Sequence, residues 1–276
     1  MLDYILLAIG IIGFGIGGYL DLKYTEFPDW LPYSMILLAL IFRGAFALFL
    51  NDVWIFLSSL IVGIFFLGFG LLLYFAKQWG DGDAWLLSAL GFLFPYSDLI
   101  KTTLPFPLTM LFNFFIISLL YLIAYSIILG FLNRFVWKKF FERLKKNQKI
   151  IAVLIIIFFS FSWVLAAYLY YLHLYSGFIQ LVLFPFFLTF TLLFSYYGRC
   201  VEENVFRKQV DVKELKVGDV LAEDRWKGLT EDEIKKLQRK KGKVWIKEGT
   251  RFAPVFLITM IVTIFYGDLI NIFINI

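Results

Sequence analysis

The residues Gly80-Asp81-Gly82-Asp83 form a charged, glycine-rich turn that opens directly into the apolar run Ala84–Phe94. A carboxylate at the mouth of a membrane helix is costly, and such residues are usually retained for a function. Asp21 directly follows the last residue of the first apolar segment of the chain. Peptide hydrolysis of the aspartyl type requires at least two carboxylates at the same depth in the membrane. The sequence therefore predicts helices that bring this pair together in a bilayer.

The composition is that of a membrane protein. Of the 276 residues, 61% are hydrophobic and 17% are charged, and the mean hydropathy is +0.81. Soluble domains are less apolar and more charged than this. The first segment, Leu2 to Leu20, has no basic region before it and no small-residue cleavage site after it, which indicates a retained helix instead of a cleaved signal peptide.

Eight apolar stretches are candidates for membrane spans. They lie near residues 4–20, 31–50, 53–76, 84–99, 106–131, 150–172, 177–197 and 253–275. The fourth is short and contains Pro95. We therefore predict a polytopic α-helical membrane protein with about eight spans and at least six.

Lysine and arginine are concentrated in segments 132–149 and 198–252, whereas the short connections 51–52 and 173–176 contain neither residue. The positive-inside rule places the two basic segments in the cytoplasm. With eight spans, Asp21 and Asp83 also lie on the cytoplasmic face. If the fourth stretch does not span, the two acids emerge together on the opposite side from the basic segments.

Only residues 199–252 have a soluble composition. Their pattern predicts strands at Val210–Leu215, Asp219–Ala222 and Lys243–Lys247, and a helix from Thr230 with a capping box to Glu233. We expect a membrane core over residues 1–198 with an added helical hairpin near 150–197, a small cytosolic α+β domain over 199–252, and a C-terminal transmembrane helix over 253–276. The basic segment near 134–149 is expected to be a helix extension at the headgroups and not a nucleic-acid site.

Small residues suggest how the acids meet. Gly13, Gly17 and Asp21 share one face of the first helix, and Ala84, Ser88 and Gly91 form a similar stripe after Asp83. We expect these two helices to pack along the stripes. Gly80 and Gly82 are expected to let a peptide backbone approach the turn and to permit positive φ.

Metal chemistry is not expected, because the chain has one histidine and one cysteine. Paired aspartates also require no cofactor. Arg43, inside the second span, is expected to snorkel outward past Phe46 and Phe49, or else to pair with an acid in the bundle.

These motifs resemble a known family. Gly80-Asp81-Gly82-Asp83 matches the GxGD motif of membrane aspartyl peptidases, and Asp21-Leu22-Lys23 followed by Phe27-Pro28-Asp29 resembles the first active-site region of type IV prepilin peptidases. The chain is most similar to the archaeal prepilin and preflagellin (archaellin) peptidases. The C-terminal similarity comprises Gly218–Asp224, Gly228–Thr230, Val244–Gly249 and Phe252–Leu257. The chain lacks the paired CxxC motifs of the bacterial enzymes and has more apolar segments than the six-helix core of the family.

The resemblance implies that Asp21 and Asp83 are the catalytic pair and that Gly80 and Gly82 are the motif glycines. The implied substrate is the short basic leader of a prepilin or preflagellin, cut at the cytoplasmic face of the membrane. Glu26, Asp29 and Asp81 are candidate binding sites for the basic leader; a plain solvated helix boundary is the alternative. The oligomeric state is open.

Two other functions are compatible with the pattern. A presenilin-like protease would cut inside the bilayer; Tyr19 lies two positions before Asp21, but the Pro-Ala-Leu element of that group is missing. A proton-coupled transporter would use Asp21 and Asp83 as a relay, although repeated halves with broken helices are not evident.

Overall fold

Most of the predicted apolar segments are long helices in the computed structural model, which describes residues 1–76, 78–97, 100, 102–173, 178–222, 228–239 and 242–270. In this described part of the chain, six helices are long and apolar enough to cross a membrane. They are α1 (Leu2–Tyr24), α2 (Trp30–Leu50), α3 (Trp54–Phe75), α5 (Phe106–Leu132), α7 (Gln148–Tyr171) and α8 (Phe178–Val201). The protein is therefore a polytopic α-helical membrane protein with at least the six spans expected.

Two further apolar segments are helical but short. Helix α4 (Asp81–Leu93) and helix α10 (Pro254–Tyr266) have 13 residues each, fewer than a bilayer requires. The predicted fourth span, 84–99, ends early because Phe94 leaves the helical conformation just before Pro95. The predicted last span, 253–275, breaks at Gly267, whose φ is 74°, and residues 271–276 lie outside the described part.

The chain divides into two compact units, and the first comprises Met1–Ile123 with Gly249–Ile276. Its core is built around α4, which contacts α1, α2, α3 and α10. Every residue from Ala84 to Phe94 except Trp85 is buried. Packing on all sides thus stabilises this helix although it is too short to span.

Arg43 belongs to this core, so the snorkelling prediction is wrong. Its side chain is 0% exposed, and its Nη2 donates a hydrogen bond of 2.8 Å to the carbonyl of Leu93. The guanidinium also lies 4.9 Å from the ring centre of Tyr96. Leu93 is the last residue of α4, where carbonyl groups lack helical partners and favour a cation. Arg43 therefore caps α4 from α2.

The second unit comprises Ala124–Glu248. Helix α6 (Arg134–Lys146) confirms the predicted helix in the basic segment, and its buried Val136 packs with Tyr197, Cys200 and Val201 of α8. After α8, a short π-helical turn over Glu202–Phe206 leads into the sheet.

Three antiparallel strands of the described residues form this sheet in the order β1-β3-β2, with β1 at Arg207–Asp211, β2 at Val220–Leu221 and β3 at Lys243–Lys247. Helix α9 (Glu231–Gln238) begins at the predicted capping box of Thr230 and Glu233. The first strand was predicted at Val210–Leu215, which is wrong by three residues at its start. The Asp211 carboxylate accepts a hydrogen bond from the Lys213 amide and turns Val212–Glu214 into a 3-10 helix.

Candidate active site

Asp21 lies in the last turn of α1 and is 5% exposed. Its Oδ2 accepts a hydrogen bond of 2.8 Å from the backbone N–H of Ala253, the residue that precedes α10. A Cβ on Gly18 would lie 3.2 Å from the Cα of Pro254. The glycine therefore allows the beginning of α10 to approach the end of α1 and to reach the carboxylate.

The glycine stripe of α1 faces other helices than expected. Cβ atoms on Gly13 and Gly17 would meet Met35 and Leu31 of α2. Helices α1 and α4 are in contact, as predicted, but the close approach made possible by the stripe is to α2.

The stripe after Asp83 packs against α3. The Ser88 hydroxyl donates to the carbonyl of Gly63 at 3.2 Å, and a Cβ on Gly91 would lie 2.9 Å from the carbonyl oxygen of Val62. Gly70 lies against Ala84, whose Cα would be 2.8 Å from an added Cβ. Helix α3 therefore fixes the position of α4 and of the acid at its start.

The turn Gly80–Asp83 forms the beginning of α4. Gly80 is the N-cap, and its N–H donates to Oδ2 of Asp83 at 3.3 Å. Asp81 is exposed, while Gly82 and Asp83 are partly buried. Gly80 has φ −74°, and Gly82 lies within the helix, so neither glycine adopts the positive φ that a glycine permits.

Gly82 has a different reason to lack a side chain. A Cβ there would lie 2.8 Å from Cζ of Phe27, a residue in the connection between α1 and α2. Phe27 therefore packs directly on the turn that carries Asp83. The same connection contains Glu26 and Asp29, both exposed, so the three candidate leader-binding acids belong to two segments that touch each other.

The two catalytic candidates influence each other electrostatically. Asp83 lies at the start of α4, outside the six candidate spans. Burial, followed by the negative charge of Asp21, raises the pKa of Asp83 to about 7; the Gly80 N–H opposes this shift and the charge of Asp81 adds to it. A carboxyl group close to a second carboxylate retains its proton to higher pH. Asp21 and Asp83 therefore lie close enough for the charge of one to act on the other.

Aromatic residues pack next to the glycine turn, which the sequence pattern did not predict. Trp79 immediately precedes the turn, and its ring centre lies 5.4 Å from that of Phe114 and 5.8 Å from that of Phe252. The Ala253 amide was also missed, because a backbone donor leaves no trace in a side-chain pattern. Its only signal was the similarity of Phe252–Leu257 to the archaeal peptidases.

Comparison with known proteins agrees with the motifs. The model of the type IV leader peptidase family matches residues 8–132. This segment resembles type IV leader peptidases. It contains both aspartates and the glycine turn, and it ends with α5, so α6 to α10 lie beyond it.

Two curated archaeal proteins are similar to the chain. A prepilin peptidase of Methanothermobacter thermautotrophicus is 28% identical over 172 residues, which are 57% of this chain and 44% of that protein. A preflagellin peptidase of Methanocaldococcus jannaschii is 34% identical over 107 residues, 38% of this chain and 43% of that protein. Each similarity spans less than half the length of the relative. The resemblance to the archaeal branch is thereby confirmed.

Proposed function

We propose that this protein is a membrane aspartyl endopeptidase that removes the short basic leader from archaeal prepilins or preflagellins. The observation that carries the proposal is the pairing of Asp21 with Asp83, two acids on different helices whose charges interact. The similarity to a prepilin peptidase and a preflagellin peptidase supports the substrate class.

The chemistry requires two carboxylates in different protonation states. One carboxylate takes a proton from water as the water oxygen attacks the scissile carbonyl, and the other donates a proton to the carbonyl oxygen. Repulsion between two nearby negative charges favours this singly protonated state. No group other than the protein and water is needed for the reaction.

The topology follows from the distribution of charge. We infer that the basic segments 132–149 and 198–252 face the cytoplasm and that α4 together with the residues that follow it carries the chain across the membrane, so that the catalytic pair opens to the same side as the basic segments. A leader peptide that is basic and joined to an apolar helix has its scissile bond at that surface. Residues 199–252, which contain the small sheet and α9, are proposed as a cytosolic domain that orients the substrate.

The direct test is leader release. Purified protein in liposomes is mixed with a prepilin-like substrate, and the masses of the products are determined by mass spectrometry. We expect one cut at the junction of the basic leader and the apolar helix. An intact substrate after prolonged incubation would contradict the proposal.

The pH dependence should report on Asp83. Its carboxyl group donates a hydrogen bond or a proton only while protonated, and its pKa is about 7. If Asp83 is the proton donor, kcat/KM is high below this pH and falls roughly tenfold per pH unit above it. Asp81→Asn removes a charge that raises this pKa, so the decline should begin at lower pH. A flat profile between about pH 6 and 9 would contradict this role.

The exposed acids should affect substrate binding. A triple variant removes three negative charges near the turn by the changes Glu26→Gln, Asp29→Asn and Asp81→Asn. Exposed ion pairs are weak, so we expect KM for a basic leader to rise about 3- to 10-fold, with little change in kcat when both proteins are assayed at a pH well below the pKa of Asp83. The matched control is a leader whose lysines and arginines are replaced by glutamine, for which the variant and the wild type should have the same KM. Equal KM values of the triple variant and the wild type on the basic leader would contradict a role of the three acids in substrate binding.

A further inference from the structure

The start of α10 is hydrogen-bonded to Asp21. Ala253 donates its N–H to Oδ2 of Asp21 at 2.8 Å, and Pro254 is the first residue of the helix. The first N–H groups of a helix have no partner within the helix and carry partial positive charge. The positive charge of Arg251 also acts on Asp21. Burial disfavours a negative charge on this carboxylate, and the backbone donor and the cation both act against that effect.

The surroundings of Asp83 have the opposite character. Its hydrogen bond from Gly80 is longer, at 3.3 Å, and comes from its own turn. Among the residues that the structure describes, the charged groups that act on it are Asp21 and the neighbouring Asp81, both negative. Two negative neighbours favour the protonated form of Asp83.

We propose that the segment Arg251–Pro254 polarises the catalytic pair, so that Asp21 is the ionised general base and Asp83 is the protonated general acid. This inference rests on the proposed function and adds the distribution of roles. It also assigns a task to α10, which lies beyond the segment that matches the leader peptidase family. The residues of this segment are positioning residues, since they act through Asp21.

The reaction then proceeds in two balanced steps. The water oxygen bonds to the scissile carbon while Asp21 receives a proton from the water and Asp83 gives its proton to the carbonyl oxygen, which yields a gem-diol. In the second step the C–N bond breaks. Asp21 gives its proton to the leaving nitrogen, and Asp83 receives a proton from one hydroxyl of the gem-diol, which becomes the new carboxyl group. Both acids return to their starting states.

The test removes the Ala253 N–H. Ala253 has φ −56°, which proline adopts, so Ala253→Pro deletes the donor without requiring a new φ. Ala253→Gly keeps the donor and is the matched control. We expect the acidic limb of the kcat profile to move up by about one pH unit in Ala253→Pro and to remain at the wild-type pH in Ala253→Gly, whatever the maximal rate of each variant.

A second readout does not depend on cleavage. Infrared spectra of the carboxyl groups, assigned by comparison with Asp21→Asn and Asp83→Asn, should show that the Asp21 carboxylate persists to lower pH in the wild type than in Ala253→Pro. If leader cleavage fails in the wild type but this difference is present, the proposed function is wrong and the polarised pair stands.

Arg251 provides an independent variant in case Ala253→Pro does not fold. Arg251→Gln should move the acidic limb in the same direction, and Arg251→Lys should restore it. The proposal is overturned if a folded Ala253→Pro protein has the wild-type acidic limb and carboxylate spectra. With an unfolded Ala253→Pro protein, identical profiles for Arg251→Gln and the wild type overturn it.

Discussion

Gly70→Ala should strongly impair both folding and cleavage. The added Cβ would lie 2.8 Å from Cα and 3.1 Å from the carbonyl oxygen of Ala84, and a backbone cannot yield as a flexible side chain can. Overpacking of this kind costs about 1–3 kcal/mol. Ala84 directly follows Asp83, so relief of the clash shifts the acid itself, and a displacement of about 1 Å in a catalytic group can reduce the rate roughly 100-fold.

The same helix offers a matched control. Gly68 lies on the other side of α3, where an added Cβ would have no atom within 4 Å. Gly68→Ala should therefore leave both the melting temperature of the purified protein and the rate of leader release unchanged. Equal behaviour of the two variants would show that the close packing of α3 on α4 does not position Asp83.

Much of the fold follows from simple properties of the chain. Apolar runs of sufficient length predict α1, α2, α3, α5, α7 and α8, because a bilayer selects for length and hydrophobicity. Helix α4 was predicted too long. The predicted apolar stretch extends beyond Phe94, whereas the helical backbone ends at Leu93. The first strand was misplaced for a similar reason, since the cap at Asp211 overrides the strand pattern.

The partners of each helix were harder to predict than the helices themselves. Glycines on one face of α1 indicate a close approach but not the identity of the neighbour, and here the neighbours are α2 and α10. Arg43 shows the same limit. Its position in an apolar run suggested that the side chain extends to the lipid headgroups. Instead it donates a hydrogen bond to the carbonyl of Leu93, 50 residues later in the chain.

The predicted site residues differ in how far the sequence could place them. Asp21 and Asp83 stand out because isolated acids are rare at the ends of apolar runs. The packing of Phe27 on Gly82 and the bond from Ala253 depend on tertiary contacts between distant segments. Such contacts leave no periodic signal, and only the folded chain reveals them.

The central claim is that Asp21 and Asp83 act together on one water molecule, and leader release by single variants tests it most directly. Initial rates are compared by mass spectrometry for the wild type, Asp21→Asn, Asp83→Asn and the double variant. The exposed Asp232 provides a control, Asp232→Asn, that removes one charge in the same way.

We expect each active-site variant to lose at least about 100-fold in rate, because an amide cannot exchange the proton. The double variant should be no slower than either single variant, since the two groups work as a unit. Asp232→Asn should retain the wild-type rate, and all variants should melt at the wild-type temperature. Release of the leader at a wild-type rate by either Asp21→Asn or Asp83→Asn would contradict the account.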